Sequence, residues 1–151
     1  MLKIYNLALL AFIALSSPAA AAGASWSQRG DLPLIYQTNY LSGPKTLSPL
    51  SGTPSTAVIT TVSYSWGYRA ATGGLDPAYK LEAKICAGSK CGFNNANNKV
   101  GTSVTSDTYW AGTLATSNWT IAVNAYGSTT KVFSTPLLPN GGFNLTLNYS
   151  Y

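Results

Sequence analysis

The stretch Val58 to Tyr68 (VITTVSYSWGY) constrains the fold of this chain most. It sets Val58, Thr60, Val62, Tyr64, Trp66 and Tyr68 on one side and Ile59, Thr61, Ser63, Ser65 and Gly67 on the other. Alternation with period two, carried by β-branched and aromatic residues, is the pattern of a half-buried strand, because successive side chains of an extended chain point to opposite faces. One strand cannot bury its apolar face alone, so the rest of the chain must supply a sheet and a second layer. The alternation returns at Tyr79 to Cys86, where Leu81, Ala83 and Ile85 oppose Lys80, Glu82 and Lys84, and at Phe143 to Tyr151, which places a strand at the C-terminal end. Trp119 to Ala125, Thr108 to Leu114, Thr130 to Thr135 and Leu34 to Leu41 are further strand candidates.

Turn-forming clusters separate these runs: Ser42-Gly43-Pro44, Ser51-Gly52-Thr53-Pro54, Thr72-Gly73-Gly74, Asp76-Pro77, Thr116-Ser117-Asn118, Gly127-Ser128 and Pro139-Asn140-Gly141-Gly142. About seven short strands punctuated in this way predict an all-β chain folded as one antiparallel β-sandwich or barrel-like domain. Asn94 to Asn98 reads as a polar loop, and Leu41 to Ser55, rich in proline, as a connection over the surface. No internal repeat is present, and beyond the N-terminal segment no stretch has sustained helical periodicity.

That N-terminal segment has the parts of a secretory signal. Lys3 gives a short positive start, Ile4 to Leu15 is apolar, and Ser16, Ser17 and Pro18 end the run. The apolar run is too short to span a bilayer, which takes roughly 20 residues. Ala20-Ala21-Ala22 and Ala22-Gly23-Ala24 both fit the small-x-small rule, so cleavage is expected near Ala22 or Ala24 and the mature chain at Gly23 or Ser25. The expected organisation is a signal peptide over 1–24 and one domain over 25–151. The mature protein is expected to be exported and not integral to a membrane. A mature chain of about 130 residues is large enough to bury a single core.

Charge is sparse. The chain has 9 Lys and Arg, 4 Asp and Glu, and no histidine. Arg29, Lys45, Arg69, Lys80, Lys84, Lys90, Lys99 and Lys131 are scattered, whereas a nucleic-acid surface needs a basic stripe with aromatics between. Solubility accounts for the cations, and no nucleic-acid partner is expected. Without histidine there is no Ser-His or Cys-His nucleophile pair. The acids Asp31, Asp76, Glu82 and Asp107 are far apart in sequence, Asp76 precedes a proline in a turn, and Glu82 sits between two lysines on a solvent face, so a glycosidase pair is not expected. The residues point away from an enzyme and call for no cofactor or metal.

Cys86 and Cys91 are the sharpest local feature. In an exported protein two cysteines imply one structural disulfide, and Ala87-Gly88-Ser89-Lys90 between them suits a hairpin loop. Redox catalysis favours a tighter Cys-x-x-Cys, and a zinc site needs ligands that this chain lacks. Trp26, Trp110, Trp119 and the tyrosines, set among Asn and Thr, leave open a sugar-stacking platform, and with it the alternative of a secreted carbohydrate-binding module. A fimbrial or adhesin-like β domain is a further alternative. The glycosylation-like triplets beginning at Asn118, Asn144 and Asn148 are explained by an Asn- and Thr-rich composition.

The order of landmarks then becomes informative. A leader precedes Trp26; Pro49-Leu50-Ser51-Gly52 follows; an apolar strand ends in Ser65-Trp66-Gly67-Tyr68; Lys80 to Ile85 leads into Cys86-x4-Cys91; and the chain closes on Asn148-Tyr149. In this order the chain resembles a divergent member of the FlhE family of the bacterial flagellar system, over most of the mature length. The resemblance implies a non-enzymatic periplasmic accessory factor of flagellum assembly. It further implies a chaperone or regulator of the rod and export apparatus that limits proton leakage through the export gate, with flagellar rod or export-apparatus proteins as partners. It assigns no binding residues. A β domain performs such a role by masking a partner's assembly surface or by adding a strand to it.

Overall fold

The strongest alternating segment contains an irregularity that its sequence does not announce. In the computed structural model of the protein, which describes residues 21–69, 79–96 and 100–151, Val58–Gly67 is a strand whose pairing shifts by one residue, with Tyr149 opposite Ile59 but Asn148 opposite Thr61. Thr60 is the extra residue, and its hydroxyl donates to the Asn148 carbonyl at 3.0 Å. A bulge reverses the facing of everything on one side of it. Ile59 is therefore in the core with Val62, Tyr64, Trp66 and Tyr68, while Val58 and Thr60 are not.

Among the described residues ten strands are formed: β1 (Gly23–Gly30), β2 (Ile35–Gln37), β3 (Ser42–Leu47), β4 (Val58–Gly67), β5 (Lys80–Ala87), β6 (Lys90–Asn95), β7 (Gly101–Asp107), β8 (Trp119–Tyr126), β9 (Val132–Leu137) and β10 (Phe143–Ser150). They build a four-stranded sheet in the order β1-β10-β4-β7, a second in the order β3-β8-β5-β6, and a short β2-β9 pair, all antiparallel. The architecture is thus a β-sandwich and not a closed barrel, since β1, β7, β3 and β6 are left as edges.

Trp26, Phe143, Leu145, Leu147, Ile59 and Val62 from the first sheet meet Leu81, Ala83, Ile85, Trp119, Ile121 and Val123 from the second in one core. Each large apolar side chain so buried stabilises the fold by about 1.5–3 kcal/mol. The outer face of the first sheet is uncharged over its centre. There the Ser27 and Thr146 hydroxyls share a 2.7 Å hydrogen bond, and Asn144 and Asn148 donate to the Ser65 and Thr61 hydroxyls at 3.2 and 2.9 Å. The outer face of the second sheet carries Lys80, Glu82 and Lys84, as the alternation of Tyr79 to Cys86 predicts. The Tyr126 hydroxyl donates to Glu82 Oε1 at 2.9 Å, and that hydrogen bond, with some burial, raises the phenol above its usual range.

Three expectations are corrected. Thr108 to Leu114 is a run of turns and not a strand. Asp107 Oδ1 accepts from the Tyr109 amide at 2.8 Å, Gly112 takes a positive φ of 80°, and the loop instead bonds to the start of β4 through Ile59. Part of Leu41 to Ser55 is not a surface connection but β3, an edge strand whose register breaks between Ser42 and Lys45 around Pro44, where a proline is tolerated. Asn94 and Asn95, expected in a loop, end β6. Residues 1–20 of the expected signal peptide, the turn clusters at Thr72 and Asp76, and residues 97–98 of the polar loop lie outside the described residues. Among those described, no helix is long and apolar enough to cross a membrane.

A cleft at the open side of the sandwich

The two sheets close against each other at β1 and β3, where Gly30 leaves room for Leu47: a Cβ at Gly30 would lie 3.0 Å from Leu47 Cδ1. The opposite side, between edges β6 and β7, is filled differently. The inward positions of β6 are Gly92 and Asn94, opposite the core residues Ile85 and Ala83; those of β7 are Thr102 and Val104, opposite Trp66 and Tyr64. Small and polar side chains do not fill a layer about 10 Å thick between sheets.

A loop supplies the missing bulk. Residues 108–113 drop Tyr109 and Trp110 into the gap, and Trp110 is 2% exposed. Its ring packs edge-on to Tyr64, Tyr109 and Trp119, with centroids at 5.7, 5.1 and 5.2 Å. Its indole N–H donates to the Lys90 carbonyl at 3.3 Å, and the Tyr109 hydroxyl donates to the Cys91 carbonyl at 2.6 Å. Gly92 is what lets the rings approach, because a Cβ there would sit 3.2 Å from Tyr109 Cε1 and 3.3 Å from Trp110 Cζ2. Trp66 ties the two sheets together higher up, donating to Asn94 Oδ1 at 3.0 Å. The Lys90 ammonium lies 5.1 Å from the centre of the Tyr109 ring.

What remains open is a cleft of about 480 Å³ lined by Tyr64, Ile85, Cys91, Gly92, Phe93, Asn94, Asp107, Tyr109 and Trp110. Asp107 reaches it through a second bulge. Tyr64 is paired with Val104 but Val62 with Asp107, and Ser106 takes φ 54°, a left-handed conformation uncommon outside glycine, with its amide on the Ser63 hydroxyl at 3.2 Å. The extra residue turns the carboxylate inward. Burial, assisted by the negative charge of Asp107, pushes the Tyr64 phenol up to about 12, so it stays protonated.

The Cys86–Cys91 disulfide forms as expected, on directly opposed residues of β5 and β6 with Cα atoms 4.0 Å apart. The turn between them is the two-residue Gly88-Ser89, with Gly88 at φ 57° in the first position, the arrangement of a type II′ hairpin. The bridge therefore pins the start of β6, beside the carbonyls that Tyr109 and Trp110 bind.

Of the acids, Asp31 is exposed, Glu82 lies on the outer face of the second sheet and Asp107 lies between the sheets, so the structure does not bring Glu82 and Asp107 together. Asp76 lies outside the described residues. Trp26, Trp110 and Trp119 are all buried, so none of them offers the exposed stacking face that a sugar platform requires. A second depression of about 420 Å³ is lined by Leu34, Tyr36, Gln37, Tyr40, Ser42 and Gly43. Sequence reasoning missed the cleft because its makers are a glycine, a bulge at a serine and a loop that resembles a strand.

No known family model matches this chain, and no curated protein matches it in sequence. Among solved structures, the crystal structure of FlhE matches with a TM-score of 0.58 at 18% identity, over 87% of this chain and 100% of that one. The chain shares the FlhE fold.

Proposed function

We propose that the protein is a non-enzymatic periplasmic accessory factor of bacterial flagellum assembly, acting on the rod or export apparatus as a chaperone or regulator and limiting proton leakage through the export gate. The observation that carries this reading is the FlhE fold, matched over 87% of the chain. The order of tryptophan, cysteine and terminal tyrosine landmarks supports it, as does the disulfide, which suits an oxidising compartment. Export through the N-terminal segment completes the reading. Cleavage after Ala22 is favoured over cleavage after Ala24, because Gly23 and Ala24 pair with Ser150 and Tyr149 at the start of β1 and the later cut would remove both.

Deletion of the gene is the test. Misplaced filaments or impaired swimming is expected, with recovery by the full-length gene; normal flagellation and motility overturns the reading. Crosslinking in the periplasm followed by pull-down is expected to recover rod or export-gate proteins.

A further inference from the structure

We propose that the outer edge of β7 is a docking site for an extended peptide segment of a partner protein, which adds to the first sheet as a fifth strand and places an apolar side chain in the cleft beside it. The comparison of the four sheet edges carries the inference. Edge β3 contains Pro44 and a break in register, and it lies beside β1 on the closed side of the sandwich. Edge β6 is covered at its start by the loop that follows β7, since the Lys90 and Cys91 carbonyls accept from Trp110 and Tyr109. Edge β7 pairs with β4 on one side, and no described residue pairs with its other side. Its sequence, GTSVTSD, has no proline and no lysine, and the two features that guard natural edges in other ways, the bulge at Ser106 and the inward charge of Asp107, are confined to its C-terminal end, which leaves Gly101 to Thr105 open to another strand.

An exposed strand edge is a row of unpaired N–H and C=O groups, and what satisfies them geometrically is another extended main chain. The inter-sheet layer on this side is short of side chains because Gly92 contributes none. An incoming strand on β7 directs every second side chain into that layer, toward Tyr64, Ile85 and Gly92. Among the described residues, Asp107 is the one charged residue lining the cleft, held inward by the Ser106 bulge. The partner segment is therefore an alternating apolar and small polar stretch with a basic residue at the end that meets Asp107. The site stands on edge geometry, and it rests on the flagellar reading only for the identity of the partner.

The test uses the mature full chain and an acetylated, amidated peptide, Lys-Thr-Leu-Thr-Val-Thr-Leu-Thr-Lys, with binding measured by calorimetry and by amide hydrogen exchange. Saturable binding that slows exchange of β7 amides is expected. N-methylation of the peptide backbone at alternate positions is expected to weaken binding at least tenfold, as is Val104→Lys, which points a charge inward on the edge. Asp107→Asn, which keeps an acceptor for the Tyr109 amide, is expected to remove the preference for lysine over glutamate at the peptide ends. No saturable binding, undiminished binding of the N-methylated peptide, or protection mapping to Leu34–Gly43 in place of β7 overturns the proposal. The N-methylated peptide needs no protein variant, so the outcome does not depend on Val104→Lys folding. Binding to β7 by a protein whose gene deletion leaves swimming intact would keep the docking site and remove the flagellar reading, and the converse separates them in the other direction.

Discussion

Trp110→Ala tests whether the loop after β7 is part of the core or a flap laid over the open side. The indole is 2% exposed and packs edge-on to three aromatic rings, so truncation removes a fully buried side chain from a site where Gly92 has no side chain with which to refill it. Truncating a buried Trp costs about 3–5 kcal/mol, and three edge-to-face pairs place this site in the upper part of that range. Domains have total stabilities of only about 5–15 kcal/mol, so the variant should fold but with much of its margin gone. In urea, with a slope of about 2 kcal/mol per molar, the midpoint should fall by about 2 M, followed by far-ultraviolet circular dichroism so that the lost fluorophore does not bias the reading. Tyr109→Ala provides the contrast: the residue is 50% exposed, and losing its hydrogen bond to Cys91 and its edge-on contact with Trp110 should together cost about 2 kcal/mol. A midpoint shift for Trp110→Ala no larger than that for Tyr109→Ala would refute the reasoning, because the loop would then open independently of the sandwich.

Other perturbations probe separate features. Replacing Cys86 and Cys91 together by Ala should leave the fold intact and lower stability by about 2 kcal/mol, the chain-entropy value for so short a ring; an unfolded double variant in urea-free buffer would contradict this. Tyr68 is fully buried with its hydroxyl donating to the Pro33 carbonyl at 2.7 Å, so Tyr68→Phe should cost about 1–3 kcal/mol by leaving that acceptor unpaired. Burial raises the Tyr68 and Tyr64 phenols above the unfolded value of 10.0, so the stability they confer is complete below pH 10 and is lost as pH climbs through the folded values. Urea midpoints at pH 8 and pH 11 should therefore differ by less in Tyr68→Phe than in the unaltered protein. Gly101→Ala places a Cβ against the Trp66 carbonyl and Gly67, and should lower the melting temperature more than Gly43→Ala, where a Cβ meets nothing within 4 Å.

Much of the fold is legible from local pattern. The alternations at Val58 to Tyr68, Tyr79 to Cys86, Trp119 to Ala125 and Phe143 to Tyr151 correspond to β4, β5, β8 and β10, the four strands that sit inside the two sheets. Central strands bury one face against the core along their whole length, and so must alternate. Edge strands bury less and bend more: β1, β3, β6 and β7 carry glycine, proline, asparagine and serine, and their periodicity is weak. That is why, of about seven expected strands, six correspond to strands of the structure, where ten are formed among the described residues. Thr108 to Leu114 shows the opposite error, since an aromatic run mimics a strand while an Asx turn and Gly112 fold it back on itself.

By itself, then, the sequence determined the class of fold, the inner strands, the pairing of Cys86 with Cys91 and the solvent-facing charges of β5, because each depends on contacts between residues near in sequence or on one face of one strand. Only the tertiary structure decided which residues form the cleft. Gly92, Asn94, Asp107 and Trp110 come together through two sheet edges, a bulge and a loop, and their roles depend on volume left unfilled between elements far apart in the chain. Packing deficits of that kind are a property of the assembled layers, and no segment of the chain carries them alone.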